Sequence, residues 1–192
     1  MYTYRCNINN AQRLKILVES GRTVFTPLDL RMFWQAKALN AKISAVRMVE
    51  KGLLARLTSG IYALNERYNR HELANRIVSP SYVSFHAALF YAGINFQARG
   101  QIGSVALRGH HKKVGDTRYT YVAMKKGLFF DSEGVVARDG VTMALPERAI
   151  LDSYYFGYLP DIDDAGKLNT TFLKKLSAMY PKTVQKKVRG LL

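Results

Sequence analysis

The side chains best suited to recognition chemistry crowd into one short stretch. Lys42, Arg47 and Lys51 lie on a run with helical periodicity, Ser44 sits at its margin, and Arg56, Thr58 and Ser59 follow in a β-prone segment. Ammonium, guanidinium and hydroxyl groups donate hydrogen bonds to base edges and phosphate oxygens, so this set fits nucleic acid. Thr26 marks a helix start, where free backbone amides attract phosphate.

Other clusters fit catalysis less well. His110 and His111 are adjacent, so on a strand they point to opposite faces and cannot share a metal ion. Flanked by Arg108, Lys112 and Lys113, they read either as a basic loop near phosphate or as a solvated loop. Asp131 and Glu133 invite comparison with metal-dependent nucleases, but the position that needs a lysine holds Val135. Glu147 and Asp152 fall about 140° apart around a helix. A helix-start charge and a structural hydrogen bond suit them better than a shared metal. No phosphate loop, serine elbow or kinase signature occurs. The expectation is a protein that is not an enzyme, with no cofactor and no metal.

The elements that must position these residues can be read from caps and periodicity. Asn9 or Asn10 can cap a helix carrying Leu14, Leu17 and Val18, closed by Gly21. Thr26, Pro27 and Asp29 form the start of a second helix whose Leu28, Leu30, Phe33 and Trp34 face a core. A link over 37–40 leads to a third helix over 41–51, ended by Gly52. Burying Ile43, Val46, Val49 and Leu53 is one register for it; burying Ala41, Ala45, Met48 and Val49 is the preferred other. Both leave Arg47 and Lys51 near solvent, and the second also exposes Lys42 and frees Ile43 to touch a thymine methyl. Runs 53–57 and 61–64 around Thr58, Ser59 and Gly60 read as a hairpin. Three helices and then a hairpin is the order of a winged helix-turn-helix, whose third helix enters the major groove.

Beyond Ser79 the texture changes. A helix over 84–92 precedes strands at 105–107, 118–123, 128–130 and 141–144, with turns at Gly115 and Asp116, Lys126 and Gly127, and Asp139 and Gly140. Pro146 opens a helix to about Phe156. Asn169 caps another through Tyr180, packed by Phe172, Leu173 and Leu176, and Pro181 restarts the chain into a last basic helix. The expected fold class is α+β: a winged helix-turn-helix over 1–79, then over 80–192 an α+β domain with a small antiparallel or mixed sheet and C-terminal helices.

The chain has 192 residues, 29 Lys plus Arg against 14 Asp plus Glu, a formal charge of +15 and a pI near 10. Cutting after Ser79 leaves +8 before the cut and +7 after it, so neither half is a neutral passenger. With 48% hydrophobic residues, disorder is excluded as a general description. No apolar run reaches the ~18 residues of a membrane span, and the first residues lack the apolar core of a signal peptide, so a cytoplasmic protein is expected. The single cysteine, Cys6, excludes an internal disulfide and a cysteine-based zinc site, and reads as an inert thiol.

Three segments together resemble the AbiEi antitoxins. They are 48–64 (MVEKGLLARLTSGIYAL), 79–93 (SPSYVSFHAALFYAG) and 144–152 (ALPERAILD), the last resembling the family's A-x-P-E-[KR]-A-[LI]-[LI]-D element. The resemblance spans 26–156 and leaves the residues before Asn9 and after Pro160 unaccounted for. It implies an antitoxin of a type IV toxin-antitoxin pair, linked to abortive infection and phage resistance, whose N-terminal winged helix represses its own operon. A C-terminal domain would counter a nucleotidyltransferase-like toxin without a stable complex. The expected partner is double-stranded operator DNA, in inverted repeats, bound by a monomer or by a weak dimer formed on DNA.

The tail adds Lys174, Lys175, Lys182, Lys186, Lys187 and Arg189, which could touch nucleic acid or an acidic partner. An interaction or RNA-binding protein using that tail is the first alternative. A metal-dependent nuclease is the second.

Overall fold

Helix starts form where the capping residues stand. The structure, a computed structural model, describes residues 8–190; Cys6 lies outside them. In α1 (Asn10–Glu19) the Gln12 amide donates to Asn9 Oδ1 and the Asn9 amide donates to Gln12 Oε1, each at 2.9 Å. After the two-residue strand β1 (Val24–Phe25), α2 (Pro27–Phe33) starts on a second reciprocal cap, between Thr26 and Asp29. Such caps stabilise by about 1 kcal/mol each.

The third helix, α3 (Ala38–Glu50), begins three residues before the expected Ala41. Lys37 turns the chain into helix without a side-chain cap, so no capping residue marks the start. Gly52 follows at φ +68°, the left-handed conformation that a side chain resists. Strands β2 (Ala55–Thr58) and β3 (Ile61–Ala63) flank a Ser59–Gly60 turn, so Thr58 ends a strand and does not begin the turn. The antiparallel sheet has the order β1-β3-β2. A fourth helix, α4 (Arg70–Ile77), adds to the three that the sequence predicts here.

Leu17, Phe25, Leu30, Trp34, Ala41, Ala45, Met48, Leu54 and Tyr62 form the core of this region. Two expected core residues are exposed: Val18 at 61% and Leu28 at 60%. Leu28 lies about 200° around the helix from the buried Leu30, and a seven-residue helix buries only one side.

The chain divides into two units between Ile77 and Val78, where the sequence suggested a boundary after Ser79. The second unit is α+β. Its first elements are β4 (Ser81–Val83), α5 (Phe85–Tyr91), β5 (Gln101–Ala106), β6 (His110–Val114) and β7 (Thr117–Ala123). Then come α6 (Lys126–Phe130), β8 (Val135–Arg138), β9 (Val141–Ala144) and α7 (Pro146–Tyr155). The unit closes with α8 (Thr170–Ser177) and α9 (Lys182–Arg189). The sheet is mixed, in the order β6-β7-β5-β4-β9-β8, with β4 parallel to β9 and β5 parallel to β7.

Several local expectations change here. Residues 128–130 are helical, in α6, because a single turn suffices to bury Phe129 against Tyr82, with ring centroids 5.8 Å apart. Lys126 and Gly127 therefore lie in a helix and not in a turn. The basic loop around His110 to Lys113 is an edge strand, paired throughout with β7. Helix α8 ends at Ser177, short of Tyr180. The Asp139–Gly140 turn forms as read, both residues at positive φ, as a two-residue hairpin requires.

Candidate functional site

In the first unit α3 adopts the second register. Ala41, Ala45 and Met48 are buried, while Ile43 and Val46 are each 39% exposed. The outward face therefore carries Leu39, Lys42, Ile43, Val46, Arg47 and Glu50, at the three- and four-residue steps of one helix side. Ser44 is half-buried beside it. Lys51 occupies the C-terminal cap and is exposed. On the hairpin Arg56 is exposed opposite Tyr62, Thr58 is half-buried, and Ser59 stands exposed at the tip.

Thr26 is placed differently from the phosphate-binding expectation. Its hydroxyl donates to Asp29 Oδ2 at 2.7 Å and accepts from the Asp29 amide at 3.2 Å. The Asp29 carboxylate also takes the Thr26 amide, at 2.8 Å, and pairs with Arg22 at 2.9 Å. A carboxylate already holds the place of an anion, and Pro27 has no N–H to offer. Helix α4 is latched nearby: the Thr23 amide and hydroxyl donate to Glu72 Oε2 at 2.9 and 2.7 Å. Glu72 is 1% exposed, and Arg76 Nη2 lies 4.0 Å from its other oxygen.

In the second unit Glu147, Arg148 and Asp152 are buried structural groups. Asp152 accepts from Tyr180 Oη at 2.6 Å, from Ser84 Oγ at 2.7 Å and from Tyr82 Oη at 3.3 Å. Arg148 Nε lies 3.5 Å from Asp152 Oδ1, both side chains fully buried. The guanidinium also donates to the carbonyls of Asp131, Glu133 and Leu128, and lies over the Tyr82 and Tyr180 rings. Burial works against this cation, but Tyr180, Tyr82 and Asp152 more than offset it, so its pKa is raised. The same burial and the Asp152 charge push both tyrosine hydroxyls up, keeping them protonated donors. Glu147 accepts from the Asn169 amide at 2.8 Å, tying the start of α7 to the start of α8. Gly134 is needed at this clasp: at φ +79°, a Cβ would meet Arg148 and Leu176 atoms at 3.0 Å.

The nuclease pair is spent on structure. Asp131 Oδ1 accepts from the Glu133 amide at 3.3 Å, and the Glu133 carboxylate pairs with Lys175. Among the described residues no group of three or more His, Cys, Asp or Glu side chains gathers to hold a metal. Lys112 and Lys113 lie on β6, and Arg108 is exposed in the preceding bend. On α9, Val184 and Val188 are buried, while Lys182, Lys186 and Arg189 fall on the opposite side. Lys187 lies over the Tyr154 ring, 5.6 Å from its centroid, and Lys174 is exposed.

This unit also holds a cavity of about 530 Å³ that no sequence signal marks. Its floor is Gln101 and Gly103 of β5 with Thr120 and Val122 of β7; Phe85, His86, Arg99 and Tyr158 stand around it. These residues are scattered over 85–158, so no local motif announces them.

Among the described residues, no helix is long and apolar enough to cross a membrane. No family model matches the chain, and no curated protein matches it.

Proposed function

We propose that the chain is a DNA-binding repressor of the AbiEi antitoxin type, its first unit a winged helix-turn-helix. The observation that carries this reading is the outward face of α3, where Lys42 and Arg47 stand clear of a core closed by Ala41, Ala45 and Met48. The element order α1-β1-α2-α3-β2-β3 supports it, as does the exposed Arg56 on the hairpin that follows α3. In this geometry α3 lies in the major groove, Lys42 and Arg47 reach base edges, and Arg56 and Ser59 meet the flanking phosphates. The resemblance of 48–64, 79–93 and 144–152 to that family extends the reading to the second unit, which counters a nucleotidyltransferase-like toxin. The reading gives the chain no catalytic step.

The decisive experiment is a salt-titrated binding assay on the protein's own promoter fragment and on a scrambled fragment of equal length. A preference of about 10³-fold at physiological salt is expected, the lower end for specific binders. Equal and steeply salt-dependent binding to both fragments would reduce the interaction to the charge of +15. The antitoxin half is tested by co-expression with an adjacent nucleotidyltransferase reading frame, with growth rescue as readout.

A second reading is favoured by one observation. Leu28, Met32 and Leu39 are 60–68% exposed, on α2 and α3. Such apolar exposure suits a protein partner. A protein-docking role predicts that Leu39→Asp abolishes partner capture while Arg47→Ala leaves it intact.

A further inference from the structure

The cavity of the second unit is built on one face of its sheet. Strand alternation and register place Gln101, Gly103 and Val105 of β5 beside Arg118, Thr120 and Val122 of β7. The same face continues onto β6 through His111, opposite Thr120, and Lys113, opposite Arg118. One sheet face thus runs from an aromatic-walled cavity to a row of cations.

The cavity has the components of a built recess. Its volume, about 530 Å³, falls in the range of small-ligand sites. Phe85 is held at φ +57°, a conformation costly for a bulky residue, and its ring sits over Gly103. A Cβ on residue 103 would lie 2.9 Å from Phe85 Cδ2, so glycine is what lets the ring occupy this place. Tyr158, 49% exposed, meets Phe85 edge-on with centroids 5.6 Å apart. The His86 ring stacks on Phe90, and its Nε2 is buried with no hydrogen-bond partner among the described residues. Gln101 Nε2 lies 3.4 Å from Thr120 Oγ1, a long contact that leaves both groups able to bond a ligand.

The cations are graded in availability. Arg99 at the rim is already paired with Asp161. Arg118 and Lys113 are exposed and carry no ion pair among the described residues. Arg118 stands two residues from Thr120 on the same strand face, about 7 Å away. A flat ring against aromatic side chains, polar contacts at its perimeter and an anion one sugar's length away together describe one ligand chemistry.

We infer that this recess binds a nucleotide, with its base against the Phe85 and Tyr158 rings and its phosphate on Arg118 and Lys113. The base is hydrogen-bonded by Gln101 and Thr120. Aromatic stacking with an adjacent cationic track is the general means by which proteins hold unpaired nucleotides. The nucleotide could be free or could be the end of a single strand; the chemistry at the recess is the same. This inference is independent of the DNA reading of the first unit.

The test uses the full chain, titrated with adenosine and cytidine 5′-monophosphates, with the matching nucleosides and with a five-nucleotide single-stranded RNA, followed by amide chemical shifts and calorimetry. Saturable one-to-one binding is expected, with shifts centred on Gly103, Thr120 and Tyr158. Tyr158→Ala, at an exposed loop position, should weaken the mononucleotide at least fivefold. Arg118→Ala should weaken the nucleotide but not the nucleoside, because only the former has the phosphate. Thr120→Phe should fill the recess and abolish both, while its unfolding transition shows that the fold persists. Tighter binding of the RNA than of the mononucleotide, with the same Tyr158→Ala loss, assigns the strand end; the reverse order assigns the free nucleotide. Absence of saturable binding, or binding indifferent to all three substitutions, overturns the proposal.

Discussion

The two units place the cations of their charged networks at different depths. In the first, Asp29 and Glu72 are buried, but the cations that face them, Arg22 and Arg76, are 36% and 22% exposed. In the second, Arg148 and Asp152 are both fully buried, the cation as deeply as the carboxylate. A network near water fine-tunes a fold that a hydrophobic core already holds. A network whose cation and carboxylate are both buried decides whether its surroundings assemble, since a buried charge left alone is far more costly than a pair.

The sharpest way to break this comparison is to remove one buried partner. Asp152→Ala strands the Arg148 guanidinium and the hydroxyls of Tyr82, Tyr180 and Ser84. A loss of about 3–5 kcal/mol is expected in urea unfolding, in the transition of the second unit. A double replacement, Arg148→Met with Asp152→Leu, should recover much of that loss. If the single variant costs under about 1 kcal/mol, the depth argument fails.

Next in size is a contrast that the proposed repressor function places within the first unit. Arg47→Ala should cost about 1–3 kcal/mol of operator binding and relax preference at one base position. Arg56→Ala should weaken operator and random DNA alike and flatten the salt slope by about one unit. Identical behaviour of the two variants would sink the division between base and phosphate contacts.

Thr26→Ala should lower the stability of the first unit by about 1 kcal/mol through the lost cap. With its hydroxyl committed to Asp29, DNA binding by the folded variant should change little. A large fall in affinity at unchanged stability would restore Thr26 as a contact residue.

The smallest effect is on pH. Burial lowers the pKa of His71 in the first unit. In the second, burial and then the Arg99 charge lower that of His86, against Asp161 and Asp163. The unfolded chain therefore binds these protons first, so stability falls as pH drops below the ordinary histidine value near 6.5. Urea midpoints at pH 7.5 and 5.5 should show this decline, and His71→Gln with His86→Gln should flatten it.

Local signals made the caps and turns legible. The Thr26–Pro27–Asp29 start, Gly52 and the Asp139–Gly140 turn each act within a few residues and form where the sequence predicts them, and of the two candidate caps, Asn9 and Asn10, it is Asn9 that caps α1. The register of α3 was legible by counting back from Gly52. Strands β1 and β4 were not, because two or three residues carry no period and are held by partners far along the chain. Helix α6 resembles a strand in sequence because Leu128, Phe129 and Phe130 are apolar in succession, and only tertiary packing decides which one is buried. The Arg148–Asp152 pair stands at the spacing of an ordinary surface pair on an amphipathic helix. Its burial depends on Tyr82 and Tyr180, 66 and 32 residues from Arg148. The cavity was illegible for the same reason.

The edge position of β6 bears on how copies of the chain meet one another. An unpaired strand edge is a template on which a second molecule can extend the sheet, the first step of aggregation. Here that edge carries His110, His111, Lys112 and Lys113 in succession. Two such edges approaching each other bring like charges together before a backbone hydrogen bond can form. The strand thereby acts as a built-in barrier to self-association, effective at low ionic strength and weakening as salt screens it.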